Sequence, residues 1–341
     1  MNEKEQNKKE QVKRVGSEYD LDEREYQRCL ALAEAATFVD VEESSKPKSI
    51  FAFAQPGAGK TALKGYIINE AQKNGNFANF VEFNPDEIST HHRFYPEIIN
   101  EYPDDSYHIL QRFTRRALDT YLRQKAVEIS CNLVQEGTLR SPDYIGILDF
   151  QKNGGNAEIG KIGKDQRRQS KKVRGGYEIE INILAVNRFE SLLSCFEREM
   201  RYEEKGLPPR AVTIENHDDS YEKMLENISV IEDRKLFDKI QVFKRGYVEE
   251  KPELIYRDGD RRFASVAEAI RYERTRQQRE LFSEPSDYFR RINELRIKAG
   301  RLGNESLLRR LDELEAMFMK EIQNYRRSKS LNIKEEKNVF L

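Results

Sequence analysis

Apolar residues along this chain follow two rhythms that take turns. Ser49 to Ala54, Phe77 to Phe83, Cys131 to Gln135 and Tyr177 to Val186 are short runs rich in aromatic and aliphatic residues, which predicts buried strands. Lys239 to Phe243 and Leu254 to Tyr256 predict the last strands, the pair closing as a hairpin. Between the runs, apolar positions spaced by three and four predict helices over 21–36, from Ala62 onward, over 106–129 and over 188–205. Strands alternating with helices predict an α/β, doubly wound, mostly parallel sheet. Beyond residue 258 the rhythm is helical alone. One stripe runs Phe289, Ile292, Leu295, Ala299, Leu302 and a second runs Leu307, Leu311, Leu314, Phe318, Ile322, Tyr325. The Gly303-Asn304 turn between them predicts an antiparallel helical hairpin.

The domain plan follows: a charged, disordered N-terminus over 1–17, one α/β domain over 18–258, and a helical extension over 259–341. Residues 151–176 interrupt the α/β pattern with glycines and eight Lys/Arg against two acidic residues. They read as a solvated surface insertion, the alternative being a lid over a polyanionic substrate.

Charge sharpens this little. The formal net charge is −1, which speaks against a nucleic-acid or membrane surface as ligand. No window approaches the roughly 18 apolar residues of a membrane span. The charged start lacks an apolar leader core, so a cytoplasmic protein is expected. Cys29, Cys131 and Cys195 lack metal spacing and read as reduced core residues. His91 and His92 read as ordinary loop histidines.

The candidate chemistry starts at Gln55-Pro56-Gly57-Ala58-Gly59-Lys60-Thr61, between a predicted strand and a predicted helix. Backbone N–H groups of such a loop cradle phosphates at a helix N-terminus, with Lys60 on the β/γ-phosphates and Thr61 on Mg²⁺. The full pattern has glycine six residues before the lysine; here Ala54 stands there. Asp86 follows the second strand and Glu136 the third, where strand ends deliver groups to a ligand. Arg198 lies in a predicted helix and Arg210 on the loop after Pro208-Pro209.

Taken in order, Gln55 to Thr61, Asn84-Pro85-Asp86, Glu136-Gly137-Thr138-Leu139-Arg140, and Ala185-Val186 followed by Glu197-Arg198 resemble the zeta-toxin family of P-loop kinases over about residues 45–250. The resemblance implies transfer of the γ-phosphate of ATP or GTP, with Mg²⁺, to the 3′-hydroxyl of UDP-N-acetylglucosamine. It also implies a toxin held in check by a small helical antitoxin. It implies Asp86 as base, Lys60, Arg198 and Arg210 on the triphosphate, and Glu136, Thr138 and Arg140 on the acceptor. On the helix before the third strand, where the family carries a further acceptor-contacting acid, the resemblance puts Asp119 and Thr120. The same residues would serve another nucleotide or small-molecule hydroxyl, or a nucleic-acid 5′-hydroxyl.

Overall fold

The computed structural model describes residues 12, 14–73, 77, 79–102, 105–158, 170–207, 211–246 and 251–338. Its sheet runs β2-β3-β1-β6-β7-β8, the first five strands parallel and the last antiparallel. These are β1 (Lys48–Phe53), β2 (Phe80–Glu82), β3 (Asn132–Gly137), β6 (Glu178–Ala185), β7 (Lys239–Lys244) and β8 (Glu253–Arg257). The remaining two, β4 (Gly155–Glu158) and β5 (Ser170–Val173), form a separate antiparallel hairpin inside the basic stretch. That stretch is therefore structured at both ends, and residues 159–169 lie outside the described residues.

Period-two alternation explains why the central strands read as unbroken apolar runs. Phe51 and Phe53 enter the core on one face, while Ile50, Ala52 and Ala54 enter a second core on the other. β6 repeats this with Ile179, Ile181, Ile183 and Ala185 against Leu184 and Val186. A strand covered on both faces needs no polar side, and the two polar residues that β6 buries, Glu180 and Asn182, bond each other.

The helices are α1 (Glu23–Thr37), α2 (Lys60–Lys73), α3 (Pro85–Ser89), α4 (Tyr95–Glu101), α5 (Ser106–Ala117), α6 (Arg123–Ile129), α7 (Asp143–Asn153), α8 (Arg188–Glu204), α9 (Ile214–Asp233), α10 (Val266–Ser283), α11 (Ser286–Leu302) and α12 (Glu305–Asn338). A π-helical turn, Leu118–Leu122, joins α5 to α6, so the one helix expected over 106–129 carries a bulge. Residues 14–18 are helical, and Val15 packs with Ile98, Ile109 and Leu110. Order thus reaches into the segment expected to be disordered, carried by one valine in a charged context; residues 1–11 and 13 lie outside the described residues.

The expected C-terminal hairpin is present. α11 ends at left-handed Gly303 (φ +70°), and Asn304 caps α12 by accepting from Leu307 N. Its stripes, with Phe189, Leu192 and Phe196 of α8, close a separate core. α10 packs differently: its Val266, Ala267, Ala269 and Ile270 belong to the core of the sheet. Among the described residues no helix is long and apolar enough to cross a membrane.

Candidate nucleotide and phosphoryl-transfer site

β1 lies between β3 and β6, where connections leave in opposite directions, and its carboxyl end is the crevice where such sheets bind ligands. The loop there is built tightly. Gly57 has φ +75°, and a Cβ on it would stand 1.9 Å from Ser191 O and 2.7 Å from Cys195 Sγ. Gly59 has φ +98°, which L side chains rarely adopt. Ala54, at the position of the missing glycine, is fully buried and still in the ladder, its N–H donating to Gly137 O at 3.2 Å. A methyl group therefore fits there.

Gln55 anchors the loop from below. Its amide donates to Val186 O (2.7 Å) and Ser191 Oγ (3.2 Å), and its Oε1 accepts from Arg274 of α10 (3.1 Å). Ser191 Oγ in turn meets His217 Nε2 at 2.8 Å, and His217 Nδ1 meets Asp218 Oδ1 at 3.1 Å. Ser191 and His217 are fully buried, and the partly exposed Asp218, also paired with Arg188, closes the chain, so it props the loop.

Lys60 begins α2, and its ammonium folds back on Ala54 O (3.1 Å) and Gln55 O (3.2 Å). Burial lowers its pKa from 10.5 to about 8; Glu136 and Cys195 oppose the shift and Arg198 adds to it. A cation held this way gains from an anion. Thr61 is exposed at the helix start, free to meet a bound ion. Arg198 is half-buried on α8, and its Nε is buried without a partner.

Asp86 stands in the first turn of α3, immediately beyond β2, its N–H held by the Asn84 side chain at 3.1 Å. Glu136 sits at the carboxyl end of β3, its Oε2 3.9 Å from Lys64 Nζ; Lys64 also pairs with Glu82. Sequence reasoning missed Lys64, although it lies one helical turn after Lys60. Thr138 follows half-buried, and Leu139 takes φ +51° with its side chain fully buried. Asn227 of α9 fixes this turn by donating to Leu139 O (2.8 Å) and Arg140 O (3.1 Å).

Other expected residues are engaged elsewhere. Arg140 is exposed and pairs with Asp219. Asp119 pairs with Arg123, burial raising its carboxyl pKa; Thr120 is exposed and its hydroxyl donates to Arg116 O (2.6 Å). Asp119, Arg123, Asp143, Ile147 and Phe150 line a cavity of about 510 Å³ between α6 and α7. It adjoins the Glu136 strand, because Arg123 donates to Gln135 (3.3 Å) and Tyr144 to Glu136 O (3.5 Å). Arg210 lies outside the described residues. His92 is buried and stacks edge-on against Phe113, as a core histidine.

A mostly parallel sheet with a phosphate loop at its switch point defines an α/β P-loop protein. The chain belongs to the Zeta toxin family, whose model matches residues 33–166 and 162–256. It is 26% identical to toxin PezT of Streptococcus pneumoniae over 66% of this chain and 79% of that protein. It is 24% identical to toxin zeta of Enterococcus hirae over 58% of this chain and 61% of that protein, under two thirds of the latter's length. A solved chain from the PezAT chromosomal toxin–antitoxin system of Streptococcus pneumoniae has the same fold, with TM-score 0.56 and 22% identity, over 81% of this chain and 98% of that one.

Proposed function

We propose that this protein is a kinase that transfers the γ-phosphate of ATP or GTP to the 3′-hydroxyl of UDP-N-acetylglucosamine, acting as a toxin restrained by a small helical antitoxin. The observation that carries the kinase part is the Lys60 ammonium, lowered to about 8 beside the unpartnered guanidinium edge of Arg198. Such a pair calls for a polyanion. Gly57 lets α8 pack against the loop, and Gly59 supplies the positive φ of a turn that leads into the N-terminus of α2, where backbone N–H groups suit a phosphate. The family match and the names of the relatives support the toxin part.

In this reading Lys60 and Arg198, with Arg210, hold the triphosphate and stabilise charge as it moves to the leaving group. Mg²⁺ supplies further neutralisation, with the Thr61 hydroxyl as its protein ligand. Asp86 takes the proton of the acceptor hydroxyl, and Glu136, Thr138 and Arg140 orient the acceptor. For Arg140 that role requires exchange from Asp219. The near-neutral net charge of −1 favours a small acceptor over a nucleic-acid end. Incubation with ATP, Mg²⁺ and UDP-N-acetylglucosamine should give a singly phosphorylated product by mass spectrometry. ATP turnover with other acceptors only would remove this sugar and keep the kinase. Growth arrest on expression, relieved by Lys60→Ala, should accompany it; growth unaffected by the active enzyme would sink the toxin role.

A further inference from the structure

Among the described residues, Arg198, Arg245 and Arg274 differ from every other half-buried or buried arginine. The others each face a carboxylate, as Arg188 faces Asp218, Arg291 faces Glu190, and Arg310 faces Glu199. These three have none, and all three surround the phosphate loop. Arg274 is held by other means: it bonds Gln55 Oε1 (3.1 Å) and Tyr221 O (2.9 Å) and stacks 3.6 Å over the Tyr221 ring, with its Nε left buried and unpartnered. At 2% exposure it cannot reach a ligand.

Arg245 can. It is the first residue after β7, at the same carboxyl edge of the sheet as the loop. Its guanidinium bonds Ser194 Oγ at 2.9 Å, and Ser194 lies one turn before Arg198 on the same face of α8. A Cβ on Gly59 would stand 3.7 Å from Arg245 Nε, so the guanidinium flanks the turn immediately before Lys60. A half-buried guanidinium with one neutral partner leaves most of its five donors for something else. Desolvating such a cation without a counter-charge is costly.

Resting on the kinase reading, we propose that Arg245 is a nucleotide-binding residue that donates to the triphosphate of the donor nucleotide across the face of the loop opposite Glu136. With Lys60 and Arg198 it brings three cations from three elements to one polyanion. Nothing in the motif that defines the loop announces it.

The test measures ATP binding by titration calorimetry on the full chain. Arg245→Gln should weaken ATP by about 10- to 100-fold, and Arg245→Lys by less, while competition by adenosine stays as in the wild type. Equal ATP affinity in Arg245→Gln overturns the proposal, and so does an equal loss toward adenosine, which would put the guanidinium on the base. Wild-type protein that binds neither ATP nor GTP would overturn the kinase reading instead. Phenylglyoxal modification of the wild-type chain gives an answer that needs no variant. Saturating ATP should slow labelling of the peptide carrying Arg245, and an unchanged rate counts against the contact.

Discussion

Two sides of α8 live under opposite electrostatic rules. Toward the C-terminal hairpin, positive charge is matched. Arg291 meets Glu190 and Glu197, Arg296 meets Asp312 and Glu315, Arg310 meets Glu199, and Lys298 meets Glu204. Toward the phosphate loop, Arg198 and Arg245 face no carboxylate among the described residues, and the carboxylate acting on Lys60 is Glu136. Matched charges fasten α11 and α12 to α8 and to each other. Unmatched ones cost stability and persist where a ligand brings the missing charge.

The largest expected effect tests the chemistry at the unmatched side. Asp86→Asn should lower transfer by about a thousandfold with ATP affinity kept, read as turnover against calorimetric binding; loss of binding instead would make Asp86 structural. Next comes the matched side. Phe318 is fully buried among Phe189, Phe282 and Tyr288, so Phe318→Ala should cost about 3–5 kcal/mol in denaturant unfolding. ATP affinity in that variant should stay near wild type, and a parallel collapse would show that the two sides are one unit. Arg198→Gln should move two observables in opposite directions. It should weaken ATP by about 10- to 100-fold while leaving the ligand-free melting temperature unchanged or higher, whereas a lower melting temperature would mean the guanidinium is matched after all.

The smallest effect is a pH dependence. The charged form of Lys60 binds phosphate, and in the free protein its pKa is lowered to about 8. Affinity should therefore be full below pH 8 and fall as pH rises through it, by about fivefold between pH 8 and pH 9. A flat profile over that range would place the ammonium in a wetter setting than its two carbonyl contacts indicate.

Much of the sheet was legible because strands buried on both faces leave an unmistakable signal: β1 and β6 were readable to within a residue or two. β2 was not, since only Phe80–Glu82 pairs of the apolar run from Phe77 to Phe83. Its flanks are apolar for packing, with Phe77 buried under α2 and stacked on Phe80. α9 went unseen because its first turns, Ile214 to Tyr221, mix His, Asp and Ser that face inward to bond rather than outward to water. In the candidate site, local motifs named the phosphate loop and the strand-end acids. Arg245 could have been found from the same strand-end rule applied to β7. Arg274 could not: nothing near it in sequence marks a residue destined for Gln55.

That contact sets an order of events. Gln55 and Arg274 are 219 residues apart, so the base of the phosphate loop stays without this prop until α10 has been synthesised and docked. On a translating ribosome the apolar strand, the glycines and Lys60 all emerge early. The tie that fixes their floor comes from α10, whose Arg274 follows Gln55 by 219 residues. If the protein arrests growth as proposed, its nascent chain carries the loop across all of those residues one tie short of the finished fold.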